Sequence, residues 1–343
     1  MSQITSFNLS DPTISVKGFG TMSFTWRDTP IPKEIAFKAI ERAIEINLPQ
    51  KTVINGGEFY GSECINLIYI QEFFAKFRPD LRKHSIISIK GALTHEGPKV
   101  SAFQSSIDNI LKYIPDLDIF EPCRLDPSAT LEEQIEILDA NVLNGKIKAF
   151  TLSEIKGDTL ARAIELSKTG VKAAEVEFSM FSRDVISNKL VEVAGKSNVP
   201  IIAYSPLSRG VLTGGITSVA DIPQGDTRLH LERFQEENLQ KNLKLVEVIK
   251  SIAAEKGKNE QKTITSAQIA LAWIHYQSEK LVNGVQFSKI IPIPSSSSVE
   301  RVNENFADVQ LTETEFAQLN EAVANFEVAG ARYFAAHEKF LDQ

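Results

Sequence analysis

The chain has 343 residues, of which 43% are hydrophobic and 24% charged, and its formal net charge is -7. These proportions are typical of a globular protein with a sizeable core, and they exclude a chain that is disordered overall. Lysine and arginine are scattered among aspartate and glutamate, so the sequence offers no basic surface of the kind that binds nucleic acid or an anionic membrane.

The cysteine count and the apolar runs bear on location. Two cysteines, Cys64 and Cys123, are too few for a disulfide framework or a cysteine-rich metal site. The first residues, "MSQITSFNLS", lack the apolar core of a secretory signal, and no later run approaches the ~18 apolar residues that span a bilayer. We therefore expect a cytoplasmic protein without a metal, a monomer or weak homo-oligomer, that acts on a small molecule.

Short apolar or β-branched segments alternate along the chain with stretches of helical spacing. In residues 32–48 the apolar side chains recur at steps of three and four, which predicts a helix with one apolar face, and residues 131–143 repeat this pattern. A last barrel helix is predicted at 299–305. The predicted strands are residues 17–22, 52–55, 85–90, 117–120, 146–152, 172–178, 200–205 and 289–294.

Strands separated by amphipathic helices pair in parallel through right-handed crossovers, and eight of them close a barrel. A doubly wound sheet would need a glycine-rich first turn that leads directly into a helix, whereas "GFGTMS" is followed by the polar "RDTPIP". The sequence therefore predicts an α/β protein of one domain, residues 1–343. Its (β/α)8 TIM barrel would cover about 15–310, and a C-terminal helical extension would cover about 311–343.

In such barrels the active site lies at the carboxyl ends of the strands. The side chains predicted at these ends include a phenol and an amine, but no histidine cluster and no set of carboxylates spaced as metal ligands. The main residues at these positions are Thr21 and Met22, Asn55 with Tyr60, Lys90, Cys123 with Arg124, Ser153 with Glu154, Glu175, and Tyr204 with Ser205.

Several sequence segments, from about residue 15 to 330, resemble segments of the aldo-keto reductases and occur in the same order. They include "INGGEFYG" (54–61), "GKIKAFTLSE" (145–154), "IIAYSPLSRGVLTGG" (201–215) and "IPIPSSSSVERVNENF" (291–306). Within that family, "DIFEPCRLDP" (118–127) is most similar to the fungal pyridoxal reductases. The resemblance implies reduction of a carbonyl, most specifically of pyridoxal to pyridoxine, with NADPH as cofactor.

The resemblance also implies catalytic roles. Tyr60 matches the family's proton donor and Lys90 matches the lysine that lowers the pKa of that phenol. Taken alone, Tyr60 could equally be a packing aromatic at the barrel rim. Asn55 and Cys123 occupy the positions of the family's usual aspartate and histidine. Either activity is lost or the substrate has changed, and in the second case we expect Lys90 to lack a counter-charge and to depress the pKa of Tyr60 strongly.

The cofactor contacts follow from the same resemblance. The nicotinamide ring is assigned to Ser153, Glu154, Glu175 and Tyr204, and the pyrophosphate to Ser205, Leu207 and Arg209. Arg301 would bind the 2′-phosphate, with Asn305 near the adenine. The start of helix 299–305 would favour phosphate, although its serine run could also be a flexible loop. The remaining cofactor positions are Gly20, Thr21, Met22, Ser295, Ser296, Ser298 and Glu304.

Three residues are assigned to the substrate pocket: Phe24, Trp26 and Arg124. The two aromatics could instead form a hydrophobic cover over the barrel mouth. Two other functions remain open from the sequence. One is a nucleotide-binding regulatory subunit resembling the potassium-channel beta subunits, and the other is an aldehyde reductase of broad range.

Overall fold

A computed structural model describes residues 7–334, 338, 340 and 341. Its main feature is a ring of eight parallel strands, each followed by at least one helix. The fifth strand is interrupted at Thr151 and therefore has two parts. The strands are β1 (Phe19–Gly20), β2 (Thr52–Gly57), β3 (Ser85–Gly91), β4 (Ile119–Pro122), β5 (Ala149–Phe150 and Leu152–Ser153), β6 (Ala174–Glu177), β7 (Ile201–Tyr204) and β8 (Ile290–Pro292).

The strands pair in the order β1-β2-β3-β4-β5 and β8-β7-β6-β5, with every pairing parallel. The first and last strands also meet. The Gly18 amide donates to the Pro292 carbonyl at 3.0 Å, and Gly20 forms a parallel bridge with Ser295. At Gly20 a side chain would lie 2.8 Å from the Ile293 carbonyl oxygen, so only glycine permits this approach. The predicted (β/α)8 barrel is confirmed.

The helices cover the outside of this ring, and their first residues carry recognisable caps. Thr130, Thr265 and Thr312 each accept a hydrogen bond from the backbone three residues on, where Glu133, Gln268 and Glu315 complete a capping box. The helices are Lys33–Asn47, Ile65–Glu72, Phe103–Tyr113, Leu131–Leu143, Gly157–Leu166, Leu190–Ser197, Glu236–Glu260, Ser266–Gln277, Val299–Asn305 and Glu313–Ala324.

Side-chain alternation along the strands separates two cores. The larger core lies between the strands and the helices and includes Ile54, Phe120 and Phe150. The smaller core contains the alternate residues of the strands, such as Val53 and Ile119, together with Leu9 and Ile14 from the N-terminal segment. The complete smaller core is Leu9, Ile14, Val53, Ile86, Ile119, Ala149, Ala173, Ile202, Ile291 and Ile293.

The predicted C-terminal extension begins with a helix and continues, among the described residues, into an irregular segment, whereas residues 335–337, 339, 342 and 343 lie outside the described part of the chain. Helix Glu313–Ala324 ends before Asn325, and residues 325–334 contain neither helix nor strand. Asn242 fixes this segment through a pair of hydrogen bonds with the backbone of Ala329, at 2.8 and 3.0 Å. The segment therefore returns to the barrel, where two of its side chains enter the site described next.

Candidate active site

A buried charge cluster lies inside the barrel. Lys90 on β3 stands opposite Glu121 on β4 in the strand register, and the two side chains form a close ion pair. The Lys90 ammonium also contacts Glu175 of β6 at 2.7 Å, whose second oxygen accepts from the Asn55 amide at 2.7 Å. Thr151 donates to the other oxygen of Glu121 at 2.6 Å. All five side chains are buried.

The charged side chains of this cluster shift one another's pKa values. Burial alone lowers the pKa of Lys90, but the attraction of Glu121 and Glu175 outweighs burial and raises that pKa above its ordinary value. Burial, and then the charge of Glu121, raise the pKa of Glu175 to about 8. Lys90 thus has a counter-charge within this pair of carboxylates, and its closest partner is Glu121. The expectation that Lys90 lacks one is wrong, because a carboxylate on the next strand replaces the one missing at Asn55.

Tyr60 follows the carboxyl end of β2, close enough to the cluster for the charges of Lys90, Glu175 and Glu121 to act on its phenol. At Gly57 a side chain would meet the Tyr60 ring at 2.8 Å, so the glycine lets the ring fold back over the strand end. Tyr60 is buried, and its ring packs against Phe59 and against the half-exposed Trp26, with centroids 5.3 and 5.2 Å away. The position suits both packing and proton transfer.

The pKa of Tyr60 is raised above its ordinary value. Burial is the largest cause, Lys90 opposes it, and Glu175 and Glu121 add to it. The expected strong depression of this pKa is therefore wrong for the structure described here. The phenol remains protonated across the physiological range and is available as a donor.

Cys123 and Arg124 follow β4. The Cys123 amide donates to the Gly91 carbonyl at 2.9 Å, which holds it beside the end of β3. Burial raises the pKa of the Cys123 thiol to about 11, so this side chain is neutral and a weak hydrogen-bond donor. Arg124 is half-buried and donates to the Cys123 carbonyl and to Ser153 on β5, the latter at 3.2 Å.

The residues assigned to the nicotinamide ring already have partners within the chain. Both oxygens of Glu154 are engaged, one by the Glu177 amide at 2.9 Å and the other by Arg332 of the C-terminal segment. The Tyr204 hydroxyl lies 3.0 Å from that of Tyr333. Glu175, as described, is held by Lys90 and Asn55. The C-terminal segment therefore contacts the region assigned to the ring.

The residues assigned to the phosphates lie in the loop after β7 and on the last barrel helix. Ser205 and Arg209 have positive φ values of 46° and 54°, which curl the loop after β7, and Leu207 in it is half-buried. Arg209 lies over the Tyr333 ring, 4.6 Å from its centroid. The Arg301 side chain is 62% exposed, and its ion-pair contact among the described residues is Glu304 at 3.9 Å.

The serines before the last barrel helix have different environments. Ser296 is buried and accepts from Asn305 at 2.9 Å, and Ser298 caps the helix by accepting from the Arg301 amide. Ser295 is exposed and lies 2.5 Å from Ser23, between their hydroxyl oxygens. These contacts give the run a defined conformation.

The assigned residues that follow β1 differ in their exposure to solvent. Thr21 is buried and its hydroxyl donates to the Asn55 carbonyl at 2.9 Å, whereas Met22 is exposed. Trp26 is 44% exposed at the barrel rim. Phe24, by contrast, has no exposed surface and packs on Phe19 in the core. The expectation that Phe24 lines a pocket is wrong, because its short helix turns the ring inward.

The residues of the site that were not predicted from the sequence include three charged side chains, those of Glu121, Glu177 and Arg332. Glu121 has a signal in the sequence, because it is a charged residue next to the apolar residues of "DIFEP" and a buried strand seldom carries an unpaired carboxylate. Glu177 alternates with Glu175 on β6 and is inward-facing for the same reason. Arg332 lies far beyond the last barrel strand, which ends at Pro292, and nothing in its neighbourhood of the sequence indicates a return to the barrel.

The described residues contain no group of histidine, cysteine, aspartate and glutamate side chains that could hold a metal ion. Within the same part of the chain, no helix is both long and apolar enough to cross a membrane.

The structure is therefore a parallel (β/α) barrel with a tyrosine and a lysine after the ends of neighbouring strands. The sequence profile of the Aldo/keto reductase family matches residues 18–324, and the chain belongs to that family.

Individual relatives agree with this assignment. A Saccharomyces cerevisiae protein named "Putative pyridoxal reductase" is 39% identical over 92% of this chain and 95% of its own. "Aldo-keto reductase yakc [NADP(+)]" of Schizosaccharomyces pombe is 34% identical over 63% of this chain and 60% of its own. The crystal structure of a glycerol dehydrogenase from Gluconobacter oxydans matches with a TM-score of 0.72 at 17% identity, over 93% of this chain and 94% of that one.

Proposed function

We propose that this protein reduces pyridoxal to pyridoxine with NADPH as the hydride source. The observation that carries the proposal is the protonated Tyr60 phenol, which interacts electrostatically with Lys90 and Glu121 at the carboxyl end of the barrel. The name of the 39% identical yeast relative favours pyridoxal, and the name of the Schizosaccharomyces pombe relative favours NADP.

The residues present fit the phosphate half of NADPH. Arg301 offers an exposed guanidinium whose carboxylate contact is long, at 3.9 Å, and which can therefore turn toward a 2′-phosphate. The curled loop containing Ser205 and Arg209 would lie along the pyrophosphate. In the ring half, Ser153 and Tyr204 would hold the nicotinamide beside Tyr333. When bound, NADPH supplies the hydride, and with it the two electrons of the reduction.

Tyr60 supplies the proton. Hydride addition to the carbonyl carbon leaves a negative charge on the oxygen, and a neutral acid within hydrogen-bond reach completes the alcohol. The raised pKa of Tyr60 keeps it in the donor form. The Lys90 ammonium then stabilises the tyrosinate left behind, since an adjacent positive charge favours the ionised phenol. One aldehyde, one hydride and one proton give one alcohol.

The pocket around the carbonyl suits an aromatic ring. Cys123 is smaller than the histidine that most family members carry, and Trp26 presents an exposed aromatic surface beside Tyr60. A planar substrate gains orientation from such remote contacts, whereas a short aliphatic aldehyde does not reach them.

The test is NADPH oxidation with pyridoxal, benzaldehyde and propanal, with the pyridoxine product identified by chromatography. We expect kcat/KM to be highest for pyridoxal and lowest for propanal. A flat profile would favour an aldehyde reductase of broad range, and NADPH binding without turnover would favour a nucleotide-binding regulatory subunit.

A further inference from the structure

Among the described residues Arg124 makes no ion pair at the barrel mouth, a feature that it shares with Arg209, whose guanidinium instead lies over the Tyr333 ring. The Nη1 of Arg124 donates to the Cys123 carbonyl and to Ser153, and these are its hydrogen bonds within the described part of the chain. In contrast, Arg332 pairs with Glu154, and Arg233 lies 3.6 Å from Glu177.

An arginine in this state has unused binding capacity. A guanidinium has five N–H donors in a planar fork, and Arg124 uses one of its three nitrogens. Partly buried charges are normally paired, because removing them from water costs free energy that only a partner offsets. An anionic oxygen is the ligand that this fork binds best, often through two parallel hydrogen bonds.

The location of Arg124 restricts where that oxygen lies. The Cys123 amide donates to the carbonyl of Gly91, the residue after Lys90. Arg124 therefore flanks the strand ends that carry the buried charge cluster. On its other side Arg124 contacts Ser153 of β5. Tyr60 and Arg124 therefore follow strand ends on the same rim of the barrel, those of β2 and β4.

We propose that Arg124 binds an ionised oxygen attached to the substrate ring next to the aldehyde carbon. The substrate class is then aromatic aldehydes with an ionised ortho-hydroxyl group. This inference rests on the proposed function, since pyridoxal carries such a hydroxyl and its pyridinium nitrogen acidifies that group. A phosphate on the ring's hydroxymethyl arm has similar chemistry, and the experiment below separates the two sources.

The experiment compares pyridoxal with its 3-O-methyl ether, in which the same oxygen has no charge. Arg124→Gln should lower kcat/KM for pyridoxal by about ten- to a hundredfold, the range of a lost charge-assisted hydrogen bond. It should change kcat/KM for the methyl ether by less than about threefold, since no charge pairs there. Arg124→Lys keeps the charge without the fork and should fall between the two.

Arg162→Gln is the matched control, because Arg162 lies on the outer helix Gly157–Leu166 with an exposed side chain paired to Glu132 and Glu165. It should leave both substrates unchanged. NADPH affinity and the circular dichroism spectrum of each variant establish that it is folded. Equal losses of Arg124→Gln on pyridoxal and on the methyl ether would overturn the proposal.

Two further comparisons separate a phosphate ligand of Arg124 from the ring oxygen, and a failure of this inference from a failure of the proposed function. A loss confined to pyridoxal 5′-phosphate would assign Arg124 to a phosphate and overturn the assignment to the ring oxygen. If the unmodified protein reduces aromatic aldehydes but not pyridoxal, the proposed function fails by itself. Salicylaldehyde and 2-methoxybenzaldehyde, compared at alkaline pH, then test Arg124 independently, and equal effects of Arg124→Gln on these two would overturn the inference.

Discussion

Lys90 and Glu121 stand directly opposite each other on β3 and β4 and form an ion pair with no access to solvent on the carboxylate side. The negative charge that most aldo-keto reductases carry at the position of Asn55, on β2, is thus present here two strands further round the barrel, on β4. Asn55 instead donates to Glu175. The buried charge cluster therefore still contains a carboxylate partner for Lys90, although on a different strand.

The first prediction concerns Glu121→Gln, which keeps the shape of the side chain and removes its charge. Glu121 raises the pKa of both Tyr60 and Glu175, so its neutralisation should lower both. Reduction needs protonated Tyr60, and the alkaline decline of kcat/KM should therefore begin at lower pH. The measurement is a pH–rate profile for pyridoxal reduction.

Thr151→Val is the matched control for Glu121→Gln. It removes the other hydrogen bond of Glu121, at 2.6 Å, without changing the charge of the cluster. Its alkaline decline should not move to lower pH. A profile for Glu121→Gln that superimposes on that of the unmodified protein would remove the electrostatic role assigned to Glu121.

The second prediction concerns cofactor choice. Arg301→Ala should weaken NADPH binding by about ten- to a hundredfold, because a charge-assisted contact contributes ~1.5–3 kcal/mol. NADH lacks the 2′-phosphate, so its affinity should be nearly unchanged. Fluorescence titration with both nucleotides measures this, with Arg162→Ala as a control on the outer face. Equal losses for the two nucleotides would place the effect elsewhere than at the 2′-phosphate.

The barrel itself could be predicted because its signal is repeated. Eight buried segments alternate with amphipathic helices, and each was located within a few residues of its observed bounds. The predicted strands 52–55 and 85–90 likewise placed Tyr60 and Lys90 at the active-site end of the barrel. These features depend on local spacing, which a sequence displays directly.

The partners inside the barrel could not be predicted in the same way. Lys90 pairs across strands with Glu121 and Glu175, which are 31 and 85 residues away. Arg332 reaches Glu154 over 178 residues, through a segment without regular structure. The inward turn of Phe24 depends on a four-residue helix, Met22–Thr25, too short to leave a periodic pattern.

The third prediction concerns the C-terminal segment. Arg332→Met should lower the free energy of unfolding by about 3–5 kcal/mol, because it removes the cation that pairs with the buried Glu154. Adding Glu154→Gln should restore part of this loss. Chemical denaturation of the two single variants and the double variant measures the coupling between the two side chains.

Arg162→Met is the control for Arg332→Met, because exposed ion pairs contribute little to stability. A change for Arg332→Met no larger than for this control would mean that the segment does not anchor the buried carboxylates.

The fourth prediction concerns stability in acid. Burial, and then the positive charge of Lys17, lower the pKa of His275 to about 4, against an opposing effect of Asp308. The unfolded chain, with an ordinary histidine pKa of ~6.5, then binds the proton more readily than the folded one. His275 should therefore reduce stability progressively as the pH falls from about 6.5 to 4.

His275→Gln should flatten this part of the stability curve, as measured by denaturant unfolding at pH 7 and at pH 4.5. The buried Nδ1 atom of His275 has no hydrogen-bond partner among the described residues, so its loss leaves no new unsatisfied group. His95→Gln, on a 92% exposed side chain, is the control and should leave the slope unchanged. Parallel curves for His275→Gln and the unmodified protein would contradict the assignment.

The most direct test of the proposed reduction is Tyr60→Phe, assayed for NADPH oxidation with pyridoxal and for NADPH affinity in parallel. The substitution keeps the ring that packs on Trp26 and Phe59 and deletes only the hydroxyl. If Tyr60 donates the proton, turnover falls by ~100-fold or more while NADPH affinity stays nearly constant. Turnover close to that of the unmodified protein would contradict the account, because another acid would then protonate the carbonyl oxygen.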